Sequence, residues 1–142
     1  MPGIDECLLE AMRLPGARGA ALVDWTSGLA LGTVGESPGG DPETMAAEAA
    51  ELARLAVEHR AFAPEEEDYN ADADEFAGGT PGQDPPVEDL IISNRDSYHV
   101  LRFVTTSFDS SVFLHLWLAR ADGNLALARI RLGEMAGRLV LG

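Results

Sequence analysis

The sequence predicts an α+β fold built from five antiparallel strands and three helices. Residues 88–120 contain three short runs of β-branched and aromatic residues, separated by the turn-forming segments NRDS and SFDS, and predict a three-stranded meander. A second pattern, at residues 19–34, predicts a hairpin. Apolar residues at helical spacing precede the hairpin, separate it from the meander and follow the meander. The expected order of elements is α-β-β-α-β-β-β-α.

Composition and charge restrict the class of function. The 142 residues fit a single domain, 1–142, large enough to bury a core without a metal or a disulfide, and the only cysteine is Cys7. The net charge of −14 argues against nucleic acid and anionic membrane surfaces, since binding to either needs a clustered basic face. No apolar run approaches the roughly 20 residues that cross a bilayer, and the N-terminus lacks the basic region of a signal peptide. We therefore expect a cytoplasmic protein that does not insert into membranes.

The first predicted helix covers residues 4–14, with acids near its start, where the helix dipole favours them, and Pro15 and Gly16 after its end. The predicted hairpin that follows has strands at residues 19–25 and 29–34, joined by Thr26, Ser27 and Gly28. Small residues in the first strand suggest that a helix packs closely against it.

The second predicted helix is the longest. Asp41 is the expected N-cap, Pro42 takes the first helical position, and the helix continues to about Arg60. Two apolar stripes follow its 3.6-residue period. The first stripe contains Met45, Ala49, Leu52, Ala56 and His59, and the second contains Ala46, Ala50, Ala53 and Val57. One sheet contact needs a narrower apolar arc than this, so the second stripe is covered either by a second copy of the chain or by a helix of the same chain. The residues alone leave both alternatives open.

The composition changes abruptly between this helix and the third strand. Residues 63–86 contain eight acidic residues, no Lys or Arg, and many Gly and Pro. Such a segment cannot bury enough apolar surface to offset its ordering, which predicts a flexible acidic loop inserted at this position. Asp72, Asp74 and Glu75 do not follow the spacing of a calcium-binding loop, so we expect no ion site there.

The predicted meander carries large side chains on both faces. Its strands are expected at residues 88–93, 98–105 and 111–120. In the last strand, alternation places Leu114, Leu116 and Leu118 on one face and Phe113, His115 and Trp117 on the other. The chain's own helices can cover one face. The other needs a further helix or another molecule.

The last predicted helix begins after a cap at Asp122 or Asn124. Its expected buried stripe consists of Leu125, Ala128, Leu132, Met135, Ala136 and Leu139. Arg129, Arg131 and Arg138 are expected to lie largely outside this stripe. Gly133 and Gly137 weaken the helix by about 1 kcal/mol each relative to Ala.

The sequence contains no phosphate-binding loop, nucleophile elbow or zinc motif. His99 and His115 could lie side by side on neighbouring strands and, with Asp24 or Asp96, are the best candidates for acid–base or metal chemistry. The pattern favours a plainer interpretation, in which each is a half-buried sheet histidine that faces a helix or a partner. We therefore expect no catalytic residue, no metal and no cofactor.

The whole pattern resembles the Roadblock/LC7 family, which includes dynein light chains and bacterial MglB-type proteins. The resemblance rests on PGARGAALVDWTSGLALGTVG, the Ala-rich helix, VEDLIISNRDSYHVLRFV and VFLHLWLARADGNLALARIRL in this order, and it covers nearly all of the chain outside residues 63–86. It implies a profilin-like fold: a five-stranded antiparallel sheet with one long helix on one face and two helices on the other.

The resemblance also implies homodimers in which the long helices and the third strands of two subunits pair. On this chain the implied interface residues are Ala46, Ala50, Ala53, Val57, Leu90 and Ile92. The acidic loop is expected beside this seam, so dimer geometry and the choice between homodimer and heterodimer stay open.

The function implied by the resemblance is that of a non-enzymatic scaffold or regulator of a Ras-like small GTPase, in bacteria sometimes alongside a sensor kinase. MglB-like dimers stimulate hydrolysis by rearranging the partner's own catalytic residues, so no catalytic residue carries over, and the partner-binding residues are not indicated. The alternative is a ligand-sensing module of the PAS, GAF and profilin type, which predicts a closed apolar pocket with convergent polar groups. A weaker alternative is a hydrolase that uses His99 and His115.

Overall fold

The computed structural model describes residues 3–65, 86–104 and 111–139. These contain helices α1 (Ile4–Ala11), α2 (Pro42–Glu58) and α3 (Leu125–Arg138), and strands β1 (Ala17–Asp24), β2 (Leu29–Gly35), β3 (Asp89–Ser93), β4 (Ser97–Val104) and β5 (Val112–Ala119). Short 3₁₀ turns, Pro38–Gly40 and Arg60–Phe62, flank α2. The predicted order of elements is confirmed. Residues 66–85 of the predicted acidic loop and the SFDS turn lie outside the described residues.

The strands form one antiparallel sheet in the order β2-β1-β5-β4-β3. The predicted hairpin is the β1–β2 pair, and the predicted meander is the run from β3 to β5. The two units join through antiparallel pairing of β1 with β5. Strand β5 is therefore central, while β2 and β3 are the two edges.

Each face of the sheet has its own apolar core. Leu114, Leu116 and Leu118 of β5 pack with α1 and α3, whereas Phe113 packs with α2 on the opposite face. The predicted alternation along β5 is confirmed, as is the placement of one long helix on one face and two helices on the other. None of the helices within the described ranges is long and apolar enough to cross a bilayer.

The helix caps follow the predicted residue types. The Asp41 carboxylate accepts hydrogen bonds from Thr44 Oγ1 at 2.6 Å and from the Glu43 N–H at 3.2 Å, and these bonds lower its pKa. At α3 the two candidate caps are resolved in favour of Asn124, whose side-chain oxygen accepts from the Leu127 N–H at 3.0 Å.

Helix α1 ends at Ala11, three residues earlier than predicted. Its continuation tightens into a turn in which the Leu14 N–H bonds the Ala11 carbonyl and the Ala17 N–H bonds the Leu14 carbonyl. Gly16 then adopts a φ of +79°, where a Cβ would lie 2.7 Å from the Gly123 backbone nitrogen. Glycine at this position therefore allows the chain to turn sharply from α1 into β1.

The orientation of α2 corrects the prediction made from its two stripes. Ala46, Ala50 and Ala53 of the second stripe have exposed fractions of 0% and pack in the core that contains Phe103 and Phe113. The chain's own sheet covers these alanines, rather than a helix of the same chain or a second copy. Small side chains let the helix backbone approach the sheet closely. The bulky end of the first stripe is turned outward instead, and Leu52 is 43% exposed.

Candidate interaction surface

The α2 side of the sheet is covered unevenly. The strand register arranges this face in rows that cross the sheet. The row beneath α2 contains Val23, Phe113 and Phe103; the next contains Ala21, His115, Leu101 and Leu90; the outermost contains Gly19, Trp117, His99 and Ile92. Phe113 and Phe103 are buried, whereas Trp117, His99 and Ile92 are only half-buried. We call this outermost row of four residues the open row.

An aromatic stack runs along the open row. The rings of His99 and Trp117 lie 5.9 Å apart and within 12° of parallel. The Arg18 guanidinium lies 3.7 Å from the centre of the Trp117 ring, a cation–π contact, and Arg18 also pairs with Glu36 at 3.0 Å. Trp117 Nε1 is buried and has no hydrogen-bond acceptor within the described part of the chain. The open row thus presents a broad flat surface, and it contains an N–H donor, Trp117 Nε1, that lacks an acceptor.

The prediction that His99 and His115 lie side by side is confirmed. His99 Nδ1 and His115 Nε2 are 3.1 Å apart, and the ring centres are 5.3 Å apart. Burial, followed by the proximity of His99, lowers the pKa of His115 to about 3, and burial also lowers the pKa of His99. Both rings are therefore neutral at pH 7, and one donates its N–H to the other.

The carboxylates proposed as partners of the histidines lie elsewhere. Burial opposes ionisation of Asp24, but hydrogen bonds from Thr26 and Ser27 in the β1–β2 turn outweigh it and lower the pKa of Asp24. Asp96 lies in the β3–β4 turn, where its N–H bonds Asn94 Oδ1. Across the described residues, no group of three His, Cys, Asp or Glu side chains could hold a metal ion. The histidine pair therefore has neither the oriented carboxylate of an acid–base site nor the ligand set of a metal site.

One flank of α2 forms a wall beside the open row. Met45 lines a narrow crevice together with Ala21 and His115, which fixes the side of α2 that faces this end of the sheet. Leu52 lies two helical turns after Met45 and projects to the same side. Leu55 is the next apolar residue around the helix and is 50% exposed. We call the open row, taken together with Leu52 and Leu55 on this flank, the L-shaped surface.

The outer edge of β3 borders this surface. Strand β3 pairs only with β4 in the described chain, so the N–H and C=O groups along its other side have no strand partner. The opposite edge, β2, is irregular because the register shifts between Leu22 and Val23. Strand β3 has no such shift. A regular edge without a bulge is a ready template for another strand.

The six residues predicted for an interface fall into two groups. Ile92 lies on the open row, Leu90 is half-buried in the neighbouring row, and Val57 is half-buried on α2, where it packs against the core. The side chains of Ala46, Ala50 and Ala53 lie on the side of α2 that faces the sheet, so they are not accessible to a second molecule.

Sequence reasoning did not include Leu52, Leu55, His99 or Trp117 among the interface residues. It did place Trp117 on a face that needs a further partner, and it interpreted His99 as facing a helix or a partner. The available signal was side-chain size. An all-small stripe suits a helix lying close on a sheet, and this leaves the end of the first stripe, from Leu52 onward, facing outward.

The α1–α3 face presents a different kind of surface. An open groove of about 740 Å³ lies between the two helices, and its lining includes Leu9, Arg13, Arg131 and Met135. An ion pair between Glu10 and Arg138, 2.9 Å long, joins the two sides. This groove is open and has charged walls, unlike the closed apolar pocket expected of a ligand-sensing module.

Three solved structures share this architecture. Myxococcus xanthus MglB matches with a TM-score of 0.65 and 14% identity over 94% of this chain and 81% of that one. A Roadblock/LC7 domain from Streptomyces avermitilis matches with a TM-score of 0.62 and 17% identity over 96% and 94%. The gliding protein MglB of Thermus thermophilus matches with a TM-score of 0.55 and 17% identity over 95% and 89%. No protein-family model and no curated protein sequence matches the chain.

Proposed function

Because the chain has a Roadblock/LC7-like fold, we propose that it is a non-enzymatic homodimer that binds a Ras-like small GTPase and modulates its GTPase cycle or its signalling. The observation that carries this proposal is the L-shaped surface together with the regular edge of β3 that borders it. It uses the same two elements, α2 and β3, through which the family resemblance implies that subunits pair.

Self-association through this surface has a simple geometry. Two β3 strands placed antiparallel across a two-fold axis would join two five-stranded sheets into one and pair the free backbone groups of both edges. With Ile92 at the two-fold axis, the same operation brings the open row of each copy next to that of the other, since Ile92 belongs to both the edge strand and the row. It also places Leu52 and Leu55 of each copy near the seam. An isologous contact of this kind buries the apolar residues that a single chain leaves exposed.

The chemistry of the described residues supports the non-enzymatic part of the proposal. The histidine pair lacks an orienting carboxylate, and the groove between α1 and α3 is lined by arginines and glutamates without a nucleophile–base pair. An effect on a GTPase would then come from binding and repositioning the partner's own groups. The resemblance to MglB-type proteins supports this mode of action.

Sedimentation equilibrium over a range of concentrations at pH 7.5 tests the homodimer. The expected mass is twice the chain mass of 15.1 kDa, about 30 kDa. Leu52→Glu and Ile92→Lys should each shift the protein to monomer without unfolding it, because each places a charge at the seam. Leu31→Glu is the matched control: Leu31 is 45% exposed on the opposite edge strand and should leave the dimer intact.

A monomer of the wild-type chain at all concentrations would refute the homodimer. Equal masses for Leu52→Glu and Leu31→Glu would refute the proposed surface.

The GTPase part is tested separately. Purified small GTPases from the same organism are loaded with GTP or GDP and measured for binding and for single-turnover GTP hydrolysis with and without the dimer. We expect at least one to bind in a nucleotide-dependent manner, and we expect the protein alone to hydrolyse no GTP. Failure of every GTPase to bind a protein that is dimeric would refute the partner while leaving the dimer in place.

A further inference from the structure

We propose that the His99–His115 pair makes self-association through the open row pH-dependent, so that the dimer forms at neutral pH and separates in mildly acidic solution. This inference rests on the proposed homodimer and adds a mode of regulation to the same surface. It starts from two imidazoles whose facing nitrogens are 3.1 Å apart, one buried and one at the surface that a second copy would cover.

The surroundings of the pair are almost wholly apolar. His115 is 5% exposed and is flanked by Ala21 on β1, Leu101 on β4 and Met45 on α2. His99 is flanked by Ile92 on β3 and by the ring of Trp117 on β5. None of these flanking residues carries a carboxylate that could pair with a protonated ring.

The charged groups nearest to the pair are already engaged with each other. Glu36 lines the crevice that contains His115 and Met45, but its carboxylate pairs with Arg18 at 3.0 Å. Arg18 in turn covers the far side of Trp117. Within the described residues no ion pair reaches either imidazole, so a proton bound by the pair has no free counter-charge.

His99 is the residue whose exposure to water differs between the monomer and the proposed dimer. In the isolated chain it is half-buried, and burial already lowers its pKa. A second copy docked on the open row would remove the remaining water around His99 and lower that pKa further. The monomer then binds a proton more readily than the dimer does. By linkage, a fall in pH through the pKa of His99 in the monomer favours the monomer, and each dimer contains two such sites.

The direction of this effect separates it from the general influence of charge. The chain carries a net charge of −14 with a sequence pI near 4.3, so a fall in pH reduces its overall negative charge. Lower repulsion between acidic copies would strengthen association. The histidine pair predicts the opposite sign, weaker association at lower pH.

Sedimentation velocity at pH 7.5 and pH 5.5, at constant ionic strength, measures the dimer dissociation constant. For the wild type we expect it to rise at least about threefold between the two values, since each dimer contains two such sites. For His99→Gln, which keeps a hydrogen-bonding side chain beside His115 but does not titrate, we expect a change below about twofold. His59→Gln is the comparison variant, because His59 is exposed on the same side of α2 as Leu52 and bonds the Leu55 carbonyl. It should behave as the wild type. Loss of the pH dependence in this variant would assign it to His59 and overturn the inference.

Far-UV circular dichroism at both pH values confirms that the chain stays folded. If His99→Gln fails to dimerise at pH 7.5, His99→Phe preserves the stack on Trp117 and takes its place. A wild-type dimer that is equally tight or tighter at pH 5.5 would overturn the inference while leaving the homodimer standing. An equal loss of affinity in the wild type and in the non-titrating variant would overturn it as well. A protein that is monomeric at both pH values would refute the proposed homodimer, and the inference with it.

Discussion

Ala50→Glu tests whether the alanine stripe of α2 faces the chain's own sheet. Ala50 has an exposed fraction of 0% and packs in the core with Val23, Phe103 and Phe113. A glutamate there is buried without a partner unless it is protonated. Protonation at pH 7 of a group with an ordinary pKa of about 4.3 costs about 1.36 kcal/mol for each of about 2.7 pH units, roughly 3.7 kcal/mol. Overpacking adds about 1–3 kcal/mol. The expected loss of stability is about 5–7 kcal/mol, comparable with the total stability of many domains.

Urea unfolding followed by circular dichroism measures this loss. The matched control is Ala47→Glu, the same substitution on the exposed side of the same helix, which should change the free energy of unfolding by no more than about 0.5 kcal/mol. An accessible dimer seam at this stripe would instead give a folded, monomeric Ala50→Glu protein. A loss below about 1 kcal/mol for Ala50→Glu would therefore refute the packing of α2 described above.

Two further predictions concern stability alone. The pKa of His115 is about 3 in the folded protein and about 6.5 in the unfolded chain. Protonation therefore favours the unfolded chain, and the free energy of unfolding is highest above pH 6.5 and decreases as the pH falls toward 3. Between pH 7 and pH 5 this loss amounts to about 2 kcal/mol in urea unfolding, and a His115→Gln protein with the same slope as the wild type would contradict it. Gly133→Ala should stabilise the protein by about 0.5–1 kcal/mol in thermal unfolding, since its Cβ would meet the Arg102 guanidinium at an ordinary 3.5 Å. Gly137→Ala, with open space around it, is the control, and a destabilised Gly133→Ala beside a stabilised Gly137→Ala would contradict the geometry at Arg102.

The elements of the fold could be predicted because they depend on local patterns. Alternation along β5 separated Phe113 from Leu114 correctly, and Asp41 was correctly expected as the N-cap of α2. For α3 the sequence left two candidate caps, of which the structure selects Asn124. The pairing of β1 with β5 connects residues far apart in the chain. Periodicity within either strand does not encode that pairing, and the family resemblance supplied the joined sheet.

The candidate surface was harder to predict than the fold. Helical periodicity defines which residues of α2 share a stripe, but it does not state which stripe faces the sheet. That choice depends on how closely the helix can approach, which the small side chains of Ala46, Ala50 and Ala53 decide. How exposed Trp117 is depends on how far α2 extends over the sheet. The sequence of β5 does not encode that extent. The interface expected from the sequence and the surface proposed from the structure therefore share α2 and β3 but differ in the side of α2.

The β1–β5 pairing makes the molecule two interlocked halves. Residues 3–65 contain α1, β1, β2 and α2, while residues 86–139 contain β3 to β5 and α3. Neither half forms a closed core alone, since α1 and α3 share one apolar cluster and α2 rests on side chains from both halves. The peptide link between the two halves is thus distinct from the β1–β5 hydrogen bonds that hold them together. We therefore expect two separately expressed fragments to reassemble, with Leu22 and Leu114 meeting at the centre of the restored sheet.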